Sequence, residues 1–254
     1  YENHGISAFN GRAHFLPPHE ITVNRRHLSA AHFLIATGSS WVTPNIQGLS
    51  GVDFFTPRTI LEALRPPKSL FIIGGGRYGI EIAQLMATFG TKVYIAEQAG
   101  RLLPHYDEEV GVALEQLLSE QKGVTVLTHS RVLSVSKEGL TKKILISRGG
   151  TEKIIKADEL LVAAGRAPEV DFGLENASVH YTPKGIEVNE FLQTSVKHIY
   201  AAGDVLGRDS HTHSALLESR VVAHNILERT KLAPDYTATP DVIFTNPEID
   251  HVGL

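Results

Sequence analysis

The chain has 254 residues, of which 42% are hydrophobic and 20% charged, so it can bury the core of one or two globular domains. It has 24 basic and 28 acidic residues, no basic stripe and no apolar run near the ~20 residues of a membrane helix, which excludes nucleic acid and membranes as expected partners. The absence of cysteine excludes disulfide bonds and thiolate metal sites within the chain.

Short apolar groups alternate with turn residues over the first 35 residues, at 13–16, 21–23 and 33–35. This alternation predicts the short strands of an antiparallel meander. The same region holds five histidines, His4, His14, His19, His27 and His32. Their spacing matches no zinc pattern and no thiol accompanies them, so we predict no metal site here, and we predict none at residues 209–213.

Two features follow the meander. Thr37-Gly38 comes after the apolar run 33–35, where glycine would let the backbone approach a ligand closely, although the residues alone favour an ordinary turn. Residues 65–68 contain two adjacent prolines, and they predict a stiff hinge before the next motif.

Residues 69–97 predict a strand, a glycine turn, a helix and a second strand that ends in an acid. Gly74 would allow a tight turn out of the first strand. Gly76 would leave room for a pyrophosphate beside the backbone, and Gly79 would let the helix pack closely on the strand. The helix N-terminus would offer unpaired N–H groups to that diphosphate. The pattern therefore predicts a dinucleotide site, and the alternative is a similar turn that binds nothing.

Glu97, at the end of the second strand, indicates which nicotinamide cofactor would bind. It lies 18 residues after Gly79, close to the spacing of about 20 that is typical of the ribose-binding acid. Its carboxylate would accept hydrogen bonds from the ribose 2′- and 3′-OH groups and would repel a 2′-phosphate. The sequence therefore predicts NAD rather than NADP.

The residues after Glu97 predict one more helix and several strands. Asp107 is a candidate N-cap for a helix over 108–122. The apolar face of this helix would consist of Val110, Ala113, Leu114 and Leu117. Strands are predicted at 124–127, 132–135, 144–146, 154–155 and 160–163, with a hairpin turn at Gly149-Gly150.

A third strand-to-turn pattern lies nearer the C-terminus, where the apolar run 199–202 leads into Gly203-Asp204. An acid at a strand end can reach the hydroxyl groups of a ligand, although a turn-forming or capping aspartate explains Asp204 at least as well. Residues 213–229 then predict a helix, and its inner face would consist of Ala215, Leu216, Val222 and Ile226.

Together these patterns resemble the class I pyridine nucleotide-disulfide oxidoreductases, a family that includes dihydrolipoamide dehydrogenase, mercuric reductase and glutathione reductase. The matching segments occur in family order at 34–39, 74–81, 163–168, 199–204 and 242–248, so the resemblance covers nearly the whole chain. The last segment resembles the opening strand of the family's C-terminal dimer-interface domain.

The resemblance implies an α/β fold of the two-dinucleotide-binding-domain flavoprotein type, in which a Rossmann-like NAD-binding domain is inserted in an incomplete FAD-binding domain. The implied boundaries are 1–65 for the first part of the FAD-binding domain, 66–186 for the NAD-binding domain, 187–233 for the returning FAD segment and 234–254 for the start of the interface domain. The parent protein would be a homodimer.

The resemblance also implies the site residues. For FAD these are Thr37, Gly38, Asp204 at the ribityl chain, and Thr212, His213 and Ala215 in a helix whose N-terminus points at the flavin ring. For NAD they are Gly74, Gly76, Arg77, Tyr78, Gly79, Glu97 and Gly165. Glu81 resembles the family's glutamate near the nicotinamide and is the candidate catalytic residue; an exposed helix acid is the alternative.

Four positions bear on the details of the nicotinamide site. Gln98 and Pro104 stand where NADP-using relatives carry arginines, which agrees with NAD. Arg77 stands where some relatives have a gating tyrosine, and Glu169 stands where an asparagine often follows the Gly-Arg-x-Pro motif.

The function implied is that of a flavoprotein oxidoreductase in cell redox homeostasis, which passes hydride from NADH to FAD and electrons to a disulfide or metal-ion acceptor. The alternatives are an NADH oxidase or ferredoxin-reductase-type flavoprotein and a non-catalytic NAD-binding module. The family's FAD glycine motif, redox cysteines and C-terminal histidine–glutamate pair are missing, and the chain does not start with Met. We therefore expect a fragment that is inactive as a disulfide reductase by itself and, with no targeting signal visible, cytoplasmic by default.

Overall fold

The structure, a computed structural model, describes residues 5–17, 19–208 and 211–253. In these ranges the helices are α1 (Arg77–Thr88), α2 (Glu108–Glu120) and α3 (Thr212–Leu227). The strands are β1 (Ala13–Leu16), β2 (Glu20–Val23), β3 (Arg26–Ser29), β4 (Phe33–Ile35), β5 (Ser39–Trp41), β6 (Ser69–Ile73), β7 (Lys92–Ala96), β8 (Val124–Leu127), β9 (Ser130–Glu138), β10 (Thr141–Arg148), β11 (Thr151–Ala157), β12 (Glu159–Val162), β13 (Arg166–Pro168), β14 (Tyr181–Thr182), β15 (Gly185–Ile186), β16 (Ile199–Ala201), β17 (Pro240–Ile243) and β18 (Ile249–Val252). No helix among the described residues has the length and apolar content needed to cross a membrane.

The chain divides into two compact units. The first unit takes in the described residues of 1–40, 166–241 and 252–254, and the second takes in 41–165 and 242–251. The units therefore change near residues 40 and 165, whereas the domains expected from the sequence change near residues 65 and 186. Which cofactor each unit holds stays a prediction.

A four-stranded parallel sheet in the order β12–β6–β7–β8 forms the centre of the second unit. Residues 70–73 of β6 are all buried, as expected of a central parallel strand with both faces covered. Ile80 and Ala83 of α1 are fully buried against this sheet. Ile73 pairs with Ala96 and with Val162, so the carboxyl ends of three neighbouring strands lie at one edge of the sheet. This edge is where parallel α/β sheets bind ligands.

An antiparallel sheet in the order β11–β10–β9 completes the second unit. Arg148 pairs with Thr151 across Gly149-Gly150, which confirms the predicted hairpin turn. The inward residues of β10, including Ile144 and Ile146, are buried in a core shared with β6 and β12. The second unit therefore combines a parallel sheet with an antiparallel one.

The first unit contains an antiparallel meander, as predicted, but its third strand is β3, which the sequence analysis did not predict. The prediction that β4 extends this meander is wrong, because β4 pairs in parallel with β16. Ile35 pairs with Ala201, and both side chains are buried in one core with Val222 of α3. Burying Ile35 against a distant strand stabilises this parallel pairing.

Two predicted helix faces differ from the structure. In α2, Leu114 is buried as predicted, but Ala113 is exposed. The helix packs closely at Gly111 instead, where an added Cβ would lie 2.5 Å from the Leu102 carbonyl oxygen. In α3, Leu216 is 50% exposed. Val222 is buried as predicted, and the other buried residues of α3 are Ser214, Glu218, Val221 and Asn225. Two of its buried polar residues, Glu218 and Asn225, have hydrogen-bond partners.

Candidate functional site

Three of the four glycines in the turn after β6 are required by the fold itself. A Cβ on Gly79 would lie 2.1 Å from the carbonyl oxygen of Gly74, so only glycine lets α1 pack this closely. Gly74 has φ +113°, and its Cβ would lie 2.4 Å from the carbonyl oxygen of Ala163. A Cβ on Gly75 would lie 2.6 Å from the side chain of Leu102. Packing alone explains why these three positions are glycine.

Gly76 has no such explanation. Its backbone is extended, with φ −82° and ψ 178°, a conformation that any residue adopts. No atom lies within 4 Å of the position that its Cβ would occupy. Gly76 is the N-cap of α1, and no side chain caps the helix there. The open space therefore lies beside the helix N-terminus, where an anion is favoured, and its place and charge preference fit a diphosphate.

Glu97 fixes the shape of this turn. Its Oε2 accepts a hydrogen bond from the backbone N–H of Gly75 at 2.7 Å, and its Oε1 accepts one from Ala99 at 2.7 Å. Each carboxylate oxygen can accept a further hydrogen bond. Glu97 is therefore held beside the glycine turn with capacity left for two hydroxyl donors.

Arg77 and Tyr78 lie together at the start of α1. The Arg77 guanidinium stacks 4.7 Å from the centre of the Tyr78 ring, and its Nη2 donates to the Tyr78 hydroxyl at 2.9 Å. The edge of Trp41 meets the same ring at 4.9 Å. Gly165, at φ +106°, accepts a hydrogen bond from the N–H of Val42 in this unit. Arg77 is thereby a cation held at the N-terminus of the helix, where an anion is favoured.

Glu81 lies one turn further along α1. Its Oε1 accepts a hydrogen bond from the backbone N–H of Phe244 at 3.0 Å. The sequence gives no sign of this contact, because residues 81 and 244 are far apart in the chain. All the residues expected to bind NAD thus lie in the second unit. Glu81 lies on α1, after Arg77, Tyr78 and Gly79.

In the first unit, Thr37 and Gly38 are joined to Glu169. The Thr37 hydroxyl donates to the carbonyl oxygen of Glu169 at 2.9 Å. The N–H of Glu169 donates to the carbonyl oxygen of Gly38 at 3.0 Å. Gly38 has φ +72°, and no atom lies within 4 Å of where its Cβ would be. The space beside Gly38 is therefore open to the close approach that the family resemblance implies, and the positive φ also fits the ordinary turn that the residues alone favour.

Asp204 follows β16 and is held by two residues. The Ser39 hydroxyl donates to its Oδ2 at 2.7 Å, and the Arg166 guanidinium approaches the same oxygen to 3.6 Å. Arg166 also donates to the Ser39 hydroxyl at 2.7 Å and to the Ser39 carbonyl oxygen at 2.6 Å. The carboxylate is thus fixed in direction but still 22% exposed, so it can accept hydrogen bonds from a polyol such as a ribityl chain.

The N-terminus of α3 follows the Asp204 turn. Thr212 and His213 are exposed in its first turn, and no side chain caps the helix at His211. A Cβ on Gly203 would lie 3.2 Å from the Cβ of Ala215, which shows how closely the turn and the helix pack. The first unit therefore brings Asp204 and the start of α3 together.

A buried acid on α3, Glu218, accepts a hydrogen bond from the turn that precedes Asp204. Glu218 is 3% exposed, and its Oε2 accepts a hydrogen bond from the N–H of Gly203 at 2.6 Å. Its Oε1 accepts one from the hydroxyl of Tyr236 at 2.6 Å. Arg208 donates to the same hydroxyl at 3.1 Å. Glu218 thus ties the glycine before Asp204 to the segment that follows α3.

The sequence interpretation missed Arg166 and Glu218 as positioning residues. Glu218 lies three residues after Ala215 and four before Val222, so helical spacing places it on the predicted inner face. A carboxylate in that position must find donors, and this was the signal available in the sequence. Arg166 gave no comparable signal, because its contacts with residues 39 and 204 are long-range.

Tyr236 should titrate late. Its burial, together with the hydrogen bond to Glu218 and the charge of Glu218, raises its pKa to about 12 against the opposing effect of Arg208. Because this folded-state pKa exceeds the ordinary value of 10.0, the stabilisation is complete below pH 10 and is lost as the pH rises towards 12. Alkaline titration followed by tyrosinate absorbance should show one late phenol that Tyr236→Phe removes. A wild-type titration with no such phenol would contradict the buried contact.

No group of three or more His, Cys, Asp or Glu side chains that could hold a metal ion occurs within 5–17, 19–208 and 211–253. His211 and His213 stack with ring centres 5.0 Å apart, and His211 pairs with Asp241 at 3.2 Å. His4, Asp209 and Ser210, which belong to the histidine-containing stretches considered in the sequence, lie outside the described residues.

Comparison with known proteins agrees with this arrangement. Residues 1–225 match the family described as pyridine nucleotide-disulphide oxidoreductase. The chain is 38% identical to a mercuric reductase of Staphylococcus aureus, covering 100% of the chain and 46% of that relative. It is 36% identical to a dihydrolipoyl dehydrogenase of Bacillus subtilis (strain 168), covering 98% of the chain and 55% of that relative.

Among solved structures, the Cu(II) complex of the HOCl-induced flavoprotein disulfide reductase RclA from Escherichia coli superposes with a TM-score of 0.89 at 28% identity, over 98% of this chain and 57% of that one. The chain spans about half the length of the relatives it matches. The predicted α/β fold of the two-dinucleotide-binding flavoprotein type is therefore confirmed. The chain belongs to the pyridine nucleotide-disulphide oxidoreductase family, whose members are FAD-dependent enzymes that use pyridine nucleotides.

Proposed function

We propose that this chain binds NAD(H) at the glycine turn of its second unit. The observation that carries the proposal is Gly76, the one glycine of the turn that packing does not require. Its open space lies at an uncapped helix N-terminus. The N–H groups of the first turn of α1 would bind the diphosphate there, with Arg77 adding a positive charge beside it.

Glu97 would select NAD over NADP. Its two oxygens already hold the turn through Gly75 and Ala99, so the carboxylate is fixed in the direction that a ribose would meet. Its remaining lone pairs would accept from the 2′- and 3′-OH groups, whereas the 2′-phosphate of NADP would meet a fixed negative charge.

The first unit would contribute part of the FAD site. Asp204, fixed by Ser39 and Arg166, would accept hydrogen bonds from the ribityl chain, and Gly38 would let the backbone approach the cofactor. Thr212, His213 and Ala215 lie in the first turn of α3, whose positive end would favour negative charge on a reduced flavin. Polar groups suited to such contacts are present in this unit.

In the parent protein, NADH would supply a hydride that FAD accepts and passes on as electrons. We propose a disulfide or a metal ion as the acceptor, since two relatives are named mercuric reductase and dihydrolipoyl dehydrogenase. Glu81 would lie near the nicotinamide. The parent would be a homodimer, which the resemblance of residues 242–248 to an interface strand supports.

Replacing Glu97 with Arg should shift the cofactor preference towards NADPH. We expect the ratio of the Kd for NADPH to the Kd for NADH to fall at least about tenfold, because a repulsive charge at the 2′-position becomes attractive. Fluorescence titration with each reduced nucleotide measures the two constants. Using their ratio cancels any general weakening caused by the lost contacts with Gly75 and Ala99.

Glu97→Gln is the matched control for charge, since it keeps the size of the side chain and removes the negative charge. It also turns one of the two acceptor oxygens that face Gly75 and Ala99 into a donor, which is why the ratio of the two constants is compared. Its ratio should lie between those of the wild type and Glu97→Arg. If the ratio in Glu97→Arg equals that of the wild type, Glu97 does not bind the ribose.

A further inference from the structure

Two side chains on α1 hold the backbone of a segment that is distant in sequence. The side-chain amide of Gln84 forms two hydrogen bonds with Asn246: its Nε2 donates to the carbonyl oxygen at 3.1 Å, and its Oε1 accepts from the N–H at 2.6 Å. One turn earlier, Glu81 accepts from the N–H of Phe244 at 3.0 Å. The backbone of residues 244–246 is thus hydrogen-bonded to two side chains of α1.

The opposite side of this segment is anchored in the core. Ile243 is fully buried with Ile80 and Ala83 of α1, and Thr245 is 5% exposed. The Thr245 hydroxyl donates to the carbonyl oxygen of Pro247 at 2.8 Å. The alternating residue Phe244 is 70% exposed. The side chains of 243 and 245 are therefore buried, while the N–H of 244 bonds to Glu81 and both the N–H and the carbonyl oxygen of 246 bond to Gln84.

We propose that Gln84 is a positioning residue for Glu81. By fixing Asn246, Gln84 holds the segment in the register that places the Phe244 N–H against the Glu81 carboxylate. A carboxylate with a fixed donor keeps one orientation, whereas a glutamate on a helix surface otherwise samples several rotamers. Gln84 thus sets the direction of an acid one turn beyond the diphosphate-binding end of α1.

This inference rests on the proposed NAD site and makes it more specific. Glu97 and the glycine turn would bind the ADP-ribose half of the cofactor, and Gln84 contacts neither of them. Glu81 is the residue proposed to lie near the nicotinamide. Loss of Gln84 should therefore weaken binding of the nicotinamide half and leave the ADP-ribose half unchanged.

Glutamine is suited to this role for a simple chemical reason. A primary amide has one donor and one acceptor, which match the carbonyl and the N–H of a single backbone residue. Glutamate at position 84 would still accept from the N–H of Asn246 but would repel its carbonyl oxygen. Alanine would provide neither group.

The test uses the full 254-residue chain with Gln84→Ala, Gln84→Glu and a matched control. Hydrogen exchange of the Phe244 and Asn246 amides should accelerate at least about tenfold in Gln84→Ala. The Asn246 amide loses its acceptor, and the Phe244 amide loses the register that holds it against Glu81. The Kd for NADH should rise about three- to tenfold, the range of one lost hydrogen bond. The Kd for ADP-ribose should change less than about twofold.

The control is Gln116→Ala, an exposed glutamine on α2 whose side chain donates to the Glu120 side chain one turn further along the same helix. It should match the wild type in all three measurements. Gln84→Glu should slow the exchange of Asn246 relative to Gln84→Ala, because the acceptor is restored. This partial rescue is expected of a specific contact and not of general destabilisation.

If exchange at both amides is unchanged in Gln84→Ala and NADH binding is normal, Gln84 does not position Glu81, and the proposed NAD site is not affected. Equal weakening of NADH and ADP-ribose would also overturn this role of Gln84, since that pattern indicates damage to the whole unit. A wild-type chain that binds neither ligand would show that the proposed NAD site is wrong, and the effect on Glu81 would fall with it.

Discussion

Replacing Gly76 with Ala should leave the fold intact and raise the Kd for NADH at least about tenfold. The backbone of Gly76 suits any residue, and a Cβ would meet no protein atom within 4 Å. The added methyl group would instead occupy the space at the start of α1 that we assign to the diphosphate. A group that blocks close approach to backbone N–H donors removes several charge-assisted hydrogen bonds at once.

Two glycine variants make this result interpretable. Gly79→Ala puts a Cβ 2.1 Å from the carbonyl oxygen of Gly74, so it should destabilise or unfold the second unit. Gly51→Ala, away from the turn and with open space around its Cβ, should match the wild type in both stability and binding. Thermal unfolding and NADH fluorescence measure the two properties. If Gly76→Ala binds NADH as tightly as the wild type, the diphosphate does not occupy this space.

Glu218→Ala should lower the free energy of unfolding by about 3 kcal/mol, since it breaks a buried network. The change leaves the Gly203 N–H without its acceptor behind a buried helix face and removes the acceptor of the partly exposed Tyr236 hydroxyl. It also opens a cavity beside Val222, which is fully buried on the same helix face. Denaturant unfolding, monitored by circular dichroism, measures the loss.

Tyr236→Phe is the matched control for this variant. It keeps the ring and removes only the hydroxyl, so one hydrogen bond to Glu218 is lost, and we expect a smaller loss of about 1 kcal/mol. If Glu218→Ala costs no more than Tyr236→Phe, the contact between Glu218 and Gly203 contributes nothing to the fold. The Asp204 turn would then be held by Ser39 and Arg166 alone.

The local features of this chain could be predicted from its sequence. The strand, glycine turn and helix at residues 69–88 follow from hydrophobic spacing and from glycine chemistry that acts within a few residues. The hairpin at Gly149-Gly150 is local in the same sense. The structure agrees with the packing roles predicted for Gly74 and Gly79, and it adds a packing requirement at Gly75 that the sequence analysis did not give.

The features that could not be predicted depend on contacts between distant residues. The parallel pairing of β4 with β16 joins strands more than 160 residues apart, and no local pattern encodes it. The same holds for Gln84 with Asn246 and for Arg166 with Ser39. Glu218 was the exception, because helical spacing places it on the apolar face predicted for α3, and this could have indicated a buried acid with partners.

Titration of the purified chain with NADH and with NADPH tests the central proposal most directly. We expect saturable binding of NADH, with enhanced nicotinamide fluorescence, and a Kd for NADPH at least about tenfold higher because of the fixed charge of Glu97. The absence of saturable NADH binding, or equal affinity for the two nucleotides, would contradict the assignment of the second unit as an NAD site.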